Sequence, residues 1–436
     1  MVKRQSQSKS DSNSNEFDVV IVGAGAVGSA LAIQLGDLGY HVAIVDAYKP
    51  NYASSDPERV IALSHGSKCY LEELGVSLGE SVAGQIRHIH VSEPGNDGHV
   101  EMDVSEAELL LNGSKKNSKH TMDALGYVVE MGDVLKPLHE KMQGAVTFLA
   151  PVSIERIDFG HGERKTELYI SDQGESRCLK TSLLVGADGT QSQVRLKAGI
   201  GTKGWDYNRF GLVLSANLEQ EHQNIAYECF RESGPLAFLP MSDGRYSIIW
   251  ALAPTEAMRL LQMPDMTFIK KLERMAGKDV VDRFGPIKAI GKRFCFPLEL
   301  RVAQQYAKAG VALVGNAAHT IHPVAGQGMN LGFRDAAVLA EVLSSDLSHN
   351  NPGASILMQA YAEKRRADVL AVAGFTDSLV HTFGISNRPA KLVRGRALDS
   401  LQLMPSLRSM LLGQASGVAQ MNKMKLPEQL MNRGGV

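Results

Sequence analysis

The hydrophobic pattern of the chain begins at Phe17, after a polar N-terminal stretch. Residues 17–22 form an apolar run with β-branched side chains, which is typical of a strand buried on both faces. Residues 26–38 then have a helical pattern, and residues 41–45 form a second apolar run. The pattern therefore predicts strand, helix and strand in immediate succession.

A different pattern marks the middle and the later part of the chain. Apolar and polar residues alternate over 209–252, and two predicted strands in this stretch meet at the turn Asp243-Gly244. This alternation predicts the sheet of a second domain, with a pocket between the domains. Residues 255–284 and 339–375 have helical patterns, and the second is interrupted near 350–352.

Glycine is enriched at three places where strands end. The chain has 42 glycines, against about 31 expected from average usage. Clusters lie at residues 23–28, 186–189 and 310–332. We expect the chemistry of the protein at these three clusters.

The first cluster has the spacing of a dinucleotide-binding turn. In this motif Gly23 permits the tight turn, Gly25 lets the backbone approach a pyrophosphate, and Gly28 allows close packing of helix on strand. Asp46 ends the second strand 18 residues after Gly28, close to the roughly 20 expected for an acid that binds ribose hydroxyls. The alternative, a merely structural turn, is disfavoured by the order of all these elements. NAD and FAD use the same motif, so the cluster leaves the cofactor open.

The other two clusters repeat the arrangement of a strand followed by a glycine-bearing turn. Asp188 follows the strand at 183–186, and an Asx turn is the structural alternative to a binding role. In the third cluster a strand at 310–314 leads into a long loop, and a helix is predicted at 329–343. The N-terminus of that helix would direct backbone N–H groups at whatever the loop encloses.

Together the three clusters resemble those of the class A flavoprotein aromatic hydroxylases, over residues 17–370. The stretch 315–335, Arg59 and the stretch 126–131 look like the ubiquinone-biosynthesis branch, most like its 2-polyprenyl-6-methoxyphenol hydroxylase subgroup. The family usually has Gly-Asp where this chain has Gly315-Asn316. The Asn amide still accepts a hydrogen bond, so we expect FAD binding to be retained.

The resemblance implies roles for particular residues. It implies FAD contacts at Gly23, Gly25, Gly28, Asp46, Arg59, Asp188, Gly315, Asn316, Met329 and Asn330. It implies a catalytic role for Pro323, Gly326, Gln327 and Gly328. Pro323 holds His322 extended in the loop over the flavin ring, and the helix that follows stabilises negative charge on the reduced ring. No residue could be identified as the base that deprotonates the substrate.

The resemblance also implies the reaction. An FAD monooxygenase would use NAD(P)H and O2 to hydroxylate the ring of a polyprenylated phenol of the 2-octaprenyl-6-methoxyphenol type, through a flavin C4a-hydroperoxide. Alternatives are another ring hydroxylation of the same pathway, a reductase or halogenase of the same fold, and an inactive FAD-binding scaffold of the biosynthetic complex. Asn316 is the residue that makes the scaffold worth testing.

The resemblance implies an α/β fold, in which a Rossmann-like FAD-binding domain carries an inserted mixed β-sheet substrate domain and a C-terminal helical segment. We expect the domains as follows: a disordered tail at 1–16, a discontinuous FAD-binding domain at 17–80, 126–200 and 298–370, the substrate-binding sheet at 81–125 and 201–297, and the helical segment at 371–436.

Composition excludes several other classes of protein. The chain has 436 residues, 44% hydrophobic and 21% charged, with a net charge of -1, which predicts two or three globular domains and no nucleic-acid partner. Its apolar stretches stop short of the ~20 residues of a spanning helix, and its N-terminus lacks a signal-peptide core. The four cysteines are scattered, and His319 and His322 lack a third ligand, so no metal site is predicted. We expect a cytoplasmic location.

The C-terminal segment differs from the rest in charge. Residues 388–436 contain eight basic and two acidic residues, separated by leucines and methionines. One interpretation is a basic, apolar helical pair that meets anionic lipid or partner subunits, which would place the protein peripherally on the inner membrane. The other is a helical pair that packs on the core with its cationic face in solvent.

Overall fold

The computed structural model describes residues 15–52, 59–93, 99–107, 122–160, 164–231, 233–345, 351–385, 388–404 and 408. The strands, in chain order, are β1 (Glu16–Val22), β2 (Val42–Val45), β3 (Val60–Ser64), β4 (Ala83–Ile86), β5 (His88–Ser92), β6 (His99–Asp103), β7 (Gly126–Glu130), β8 (Thr147–Leu149), β9 (Val152–Asp158), β10 (Thr166–Asp172), β11 (Glu175–Gly186), β12 (Thr202–Leu218), β13 (Ile225–Cys229), β14 (Leu236–Pro240), β15 (Tyr246–Leu252), β16 (Ile287–Ile290), β17 (Phe294–Ala303), β18 (Ala307–Lys308), β19 (Val311–Leu313) and β20 (His319–Thr320). The helices are α1 (Ala26–Asp37), α2 (His65–Glu73), α3 (Met131–Met142), α4 (Gln193–Lys197), α5 (Pro254–Leu261), α6 (Asp265–Ala276), α7 (Lys278–Phe284), α8 (Gln327–Ser344), α9 (Ser355–Gly384) and α10 (Arg388–Gln402).

The first sheet brings the three glycine clusters to one edge. Its strand order is β18-β19-β11-β1-β2-β8, and β10 and β9 extend it from β11. β1 is parallel to both β11 and β2, and β11 is parallel to β19. Residues Val19 to Val22 are buried on both faces of β1, as a central parallel strand requires. The turns after β1, β11 and β19 therefore meet at the carboxyl ends of neighbouring strands.

The second sheet is the predicted sheet of the middle region. Its order is β20-β17-β12-β15-β14-β13-β5-β6, with β16 on β12. β14 and β15 pair antiparallel across the predicted turn at Asp243-Gly244. β5 joins this sheet by parallel pairing with β13, which links the segment after residue 81 to the later one. A small third sheet, β3-β7-β4, completes the mixed α/β fold. The domain boundaries stay a prediction.

The prediction of one continuous helix over 255–284 was wrong. Three helices, α5, α6 and α7, occupy this stretch. Pro264 precedes α6, where it supplies no backbone N–H to a continuing helix. Gly277 separates α6 from α7 with a positive φ of 90°, which favours glycine. The three helices bury Phe268, Leu272 and Phe284 behind the second sheet.

The helix predicted at 329–343 is α8, and it begins two residues earlier. It is buried along almost its whole length, so it has no polar face of the usual kind. A Cβ on Gly332 would lie 2.7 Å from Cγ2 of Val27, so glycine is what lets α8 approach α1 this closely. The predicted interruption before the next helix is confirmed in position, although residue 350 lies outside the described part; α9 begins at Ser355.

The described part of the C-terminal segment packs on the second sheet. Arg394 of α10 is buried, and its guanidinium donates to Oε1 of Glu93 at 2.5 Å and to the carbonyls of Thr382 and Ile385. Arg408 donates to Glu106 at 2.9 Å. These ion pairs favour the packed interpretation for α10 and for Arg408 beyond it. Residues 409–436, which carry three of the eight basic residues, lie outside the described part. No described helix is long and apolar enough to cross a membrane.

Candidate active site

The first glycine turn contains one open position between two crowded ones. A Cβ on Gly23, whose φ is 108°, would lie 2.3 Å from the carbonyl oxygen of Ala187, and a Cβ on Gly28 would lie 2.0 Å from the carbonyl of Gly23. A Cβ on Gly25 would meet nothing within 4 Å. Gly25 is also the N-cap of α1, and no side chain caps the amides there. The open face and the unsatisfied amides match the needs of a bound pyrophosphate.

Asp46 lies beside this turn. Its Oδ2 accepts a hydrogen bond from the amide of Ala24 at 2.7 Å, and its Oδ1 accepts one from the amide of Tyr48 at 2.9 Å. The carboxylate therefore orders the turn itself. Its predicted bond to a ribose hydroxyl stays a prediction, and the position at the rim of the turn is suitable for it.

Asp188 uses one oxygen for the fold and leaves the other without a protein partner. Its Oδ2 accepts from the amides of Gln193 at 2.7 Å and Val194 at 3.2 Å, which stabilises the start of α4. Its Oδ1 is buried and has no hydrogen-bond partner among the described residues. Because a buried carboxylate oxygen without a partner is costly, this atom is suited to accept from a bound group.

Arg195 was not predicted to have a role, and it joins the second cluster to the third. Its guanidinium donates to the carbonyl oxygens of Thr190 and Ala317, both at 2.8 Å. The Thr190 and Thr320 hydroxyls also meet at 3.0 Å. A guanidinium has several N–H donors in one plane, so a single arginine can bind carbonyl groups of two loops at once.

The third cluster is anchored by Asp335, which lies on α8 and is fully buried. Its carboxylate accepts from the amide of Gly315 at 2.8 Å, from Nε2 of His319 at 2.6 Å and from Nε of Arg365 at 2.6 Å. Burial acts to raise the pKa of Asp335, but His319 and Arg365 outweigh burial and lower it. The carboxylate thus holds the loop, α8 and α9 in one arrangement.

Asn316 and Asn330 occupy different places around this anchor. Asn316 is exposed at the wall of a cavity, so its amide is open to a bound group. The Asn330 amide donates to the carbonyls of Ala62 and Gly326 and accepts from the amide of Ser64. All these partners are backbone groups, so the side chain of Asn330 ties β3 to the start of α8. A cofactor contact of Asn330 stays a prediction.

The cavity has a volume of about 550 Å³ and lies between the third cluster and the second sheet. Its walls include most of the residues predicted from the third cluster: Asn316, Pro323, Gly326, Gln327, Gly328, Met329 and Asn330. Gly326 has a φ of 62°, and it is the N-cap of α8 without a side-chain cap. Because Gly326, Gln327 and Gly328 lie on the cavity wall, the N-terminus of α8 and the positive end of its dipole face the cavity.

Most of the remaining wall is apolar. The second sheet contributes Val91, Val100, Ala226, Ala237, Leu239, Ile249, Phe296 and Leu298, and the C-terminal helices contribute Phe375, Leu379, Phe383, Leu398 and Leu401. The titratable side chains on the wall include Glu228 and His322. Burial raises the pKa of Glu228 to about 7 and lowers the pKa of His322 to about 4.

Arg59, a predicted cofactor contact, does not lie on the cavity wall. Its side chain is exposed, whereas the next residue, Val60, lies in the cavity wall. Its carbonyl accepts from the amide of Met131, which fixes the start of β3. Arg59 as a cofactor contact stays a prediction.

Comparison with known proteins agrees with this geometry. The sequence profile of the FAD binding domain family matches residues 16–376. The chain belongs to this family. It is 31% identical over 417 residues to the ubiquinone hydroxylase UbiL of Rhodospirillum rubrum, which covers 93% of this chain and 90% of that protein. It is 31% identical over 409 residues to the 3-demethoxyubiquinol 3-hydroxylase of Escherichia coli, with 92% and 98% covered.

A solved structure shows the same fold. The p-nitrophenol 4-monooxygenase PnpA of Pseudomonas putida superposes with a TM-score of 0.74 over 94% of this chain and 98% of that chain, at 17% identity. The predicted family and fold class are confirmed, and the chain is an FAD-dependent aromatic hydroxylase. NAD(P)H is the usual electron donor of this class. The open face at Gly25 and the free oxygen of Asp188 fit FAD as the cofactor.

We expect substitutions of Gly25 and Gly28 in the first turn to have different effects. Gly25→Val places its side chain in open space where the pyrophosphate is expected, so the chain should fold and the FAD content should fall at least tenfold. Gly28→Ala drives a methyl group into the Gly23 carbonyl, so its melting temperature should fall. FAD absorbance per protein and thermal unfolding separate the two. Gly374→Ala, also in open space, is the control. Full FAD content in Gly25→Val would contradict the assignment.

We expect Asp335→Ala to lower the free energy of unfolding by about 3–5 kcal/mol, since it leaves the buried guanidinium of Arg365 without its partner. Lys364→Ala is the matched control. Lys364 lies next to Arg365 on α9 and forms an exposed ion pair with Glu341, so its loss should lower the free energy of unfolding by no more than about 1 kcal/mol. Chemical denaturation of both variants measures the difference. Equal losses would show that Asp335 is not the anchor.

Proposed function

We propose that the protein hydroxylates the ring of a polyprenylated phenol of ubiquinone biosynthesis, of the 2-octaprenyl-6-methoxyphenol type. The observation that carries the proposal is the apolar cavity of about 550 Å³, which opens directly on the third glycine cluster. Sites for small molecules usually lie in the range of 300–1,000 Å³ and combine apolar walls with a few polar groups. This cavity is suited to a phenol ring with an apolar tail.

The residues of the chain divide the work in this proposal. FAD, when bound and reduced by NAD(P)H, supplies the activated oxygen atom. The apolar wall orients the ring and excludes water from the reacting atoms. The first amides of α8, at Gln327 and Gly328, favour negative charge at their end of the cavity without any rearrangement. The Asp335 anchor keeps these amides in place.

A second candidate is hydroxylation at another ring position of the same pathway. It is favoured by the relative named 3-demethoxyubiquinol 3-hydroxylase, which matches over almost its whole length. Both candidates need an apolar cavity for the tail, so they differ only in the substituents of the ring.

Product analysis tests the proposal. Purified protein with FAD, NADPH and ¹⁸O₂ is given short-tailed analogues of the 6-methoxyphenol and of the demethoxyquinol. We expect one ¹⁸O atom in the ring of the methoxyphenol, as measured by mass spectrometry. Label in the demethoxyquinol alone would select the second candidate, and NADPH oxidation without labelled product from either would contradict both. Heat-denatured protein and omission of FAD are the controls.

The proposal includes contact with an anionic membrane surface through α10. A polyprenylated substrate resides in lipid. α10 exposes Val393 by 68% together with the cation Arg396, and Leu403, directly after α10, is exposed by 81%. Exposed apolar and basic groups on one helix are typical of interfacial binding. This agrees with the interpretation of the C-terminal segment as a membrane-contacting one. Arg394 packs against the second sheet, whereas Val393, Arg396 and Leu403 remain exposed to solvent.

We expect the protein to sediment with anionic vesicles more than with zwitterionic ones, and the difference to shrink with salt. Val393→Asp combined with Leu403→Asp should reduce vesicle binding several-fold without changing FAD content. Equal sedimentation with both kinds of vesicle would contradict membrane contact through α10. Leu196→Asp, also at an exposed leucine but far along the chain on α4, is the control.

A further inference from the structure

β13 divides its side chains between two environments. Tyr227 and Cys229 belong to the apolar cluster behind the second sheet. Ala226 and Glu228 lie on the wall of the cavity, as does Phe230 directly after the strand. Tyr227 also borders the cavity, but its ring packs on Phe284 in the cluster behind the sheet. Because successive side chains of a strand point to opposite faces, the fold directs the carboxyl group of Glu228 at the space where the substrate is expected.

The neighbours of Glu228 on this face are apolar. Val91 of β5 and Ala237 of β14 lie directly opposite it in the strand pairing. One strand further out on each side come Val100 of β6 and Ile249 of β15. All four lie on the cavity wall. A single carboxyl group thus interrupts a row of aliphatic side chains.

Glu228 makes no hydrogen bond or ion pair within the described part of the chain, and burial alone raises its pKa. A carboxyl group without a partner in apolar surroundings destabilises the fold. Packing does not explain its presence, since an aliphatic side chain would complete the row. Carboxyl groups with raised pKa values in a cavity are typical of acid–base sites.

We propose that Glu228 is the group that binds the phenol hydroxyl of the substrate and accepts its proton during ring hydroxylation. This inference rests on the proposed function. Glu228 is then the base that the sequence did not identify. Its hydrogen bond holds the phenol ring at one end, while the tail lies along the aliphatic wall.

The proton and the electrons balance in this step. The phenol O–H bond breaks, its proton passes to the Glu228 carboxylate, and the electron pair enters the ring as a C=O bond forms. The ring carbon then gives an electron pair to one oxygen atom of O2, which the FAD-dependent activity delivers as a hydroxyl group while its bond to the second oxygen atom breaks. When the ring becomes aromatic again, that carbon loses its hydrogen as a proton, which the second oxygen atom takes up on its way to water, and Glu228 returns its proton to the ring oxygen. The carboxylate is then ready for the next turnover.

Three other titratable groups lie on or near the cavity wall. His322 faces the cavity from the third cluster and stays neutral above its pKa of about 4. Asp377 of α9 accepts a hydrogen bond from Tyr207, which packs on His322. Glu93 of the segment after β5 is paired with Arg394. The pairing strands contribute no charged side chain opposite Glu228. Comparison of the wild type with Glu228→Gln assigns a pH effect between 6 and 8 to Glu228.

The experiment uses the FAD-loaded protein and a short-tailed 5-fluoro-2-prenylphenol, whose fluorine leaves the para position open, with its methyl ether as the matched ligand. ¹⁹F NMR gives the dissociation constant of each ligand, and product per NADPH consumed gives the coupling. Glu228→Gln keeps the size of the side chain and removes the charge. Glu228→Asp keeps the charge, and Glu221→Gln, an exposed glutamate in the loop before β13, is the control.

In the wild type we expect phenol binding and coupling to rise as the pH increases through about 7, where the carboxyl group loses its proton. In Glu228→Gln, phenol binding at pH 8 should weaken about tenfold, ether binding should stay unchanged, and the pH dependence of coupling should disappear. Glu228→Asp should restore part of the coupling. FAD content should be equal in all variants.

Equal weakening for phenol and ether would show a merely structural role and overturn the inference. So would a Glu228→Gln variant with the wild-type pH profile. A wild type that binds or hydroxylates no prenylated phenol would overturn the proposed function as well. A wild type that hydroxylates the phenol with a coupling independent of pH between 6 and 8 would overturn the role of Glu228 alone.

Discussion

The buried carboxylate of Asp335 is the interaction on which the site depends. It receives hydrogen bonds from the amide of Gly315 and the ring of His319, both in the segment after β19, and from Arg365 of α9. Such a group is stable only when all its partners are present, because an unpaired buried charge is strongly destabilising. The loop that follows β19 therefore has one allowed position relative to α8 and α9. The shape of the cavity and the direction of the α8 amides follow from that position.

The same constraint connects cofactor and substrate. Parallel strands bring the three glycine turns to one edge of the first sheet, and Arg195 ties the second turn to the third. The cavity begins where this edge meets the second sheet. An enzyme that transfers an activated oxygen atom must hold cofactor and ring together and keep water away. Here the loop that follows β19 contributes both to the predicted cofactor site and to the wall of the cavity.

Local signals made the fold and the geometry of the first glycine turn predictable. Gly23, Gly25 and Gly28 act through backbone geometry within six residues, so their spacing alone indicates a dinucleotide turn. Asp335 and Glu228 could not be found in that way, because their meaning depends on partners or neighbours far along the chain. The prediction of one helix over 255–284 failed for a local reason. Its hydrophobic pattern persists across Pro264 and Gly277, but Pro264 caps the start of α6 and Gly277 separates α6 from α7. The reaction was predicted from the resemblance to a family of flavoprotein hydroxylases and not from any single residue.

The most direct test of the account is anaerobic mixing of the purified protein with NADPH, with and without a short-tailed prenylated phenol. The account predicts a yellow protein with the absorption of oxidised flavin, which bleaches several-fold faster when the phenol is present, because substrate and cofactor share one enclosure. A protein that takes up no FAD, or one whose bleaching is unaffected by a phenol that it binds, would contradict the central claim.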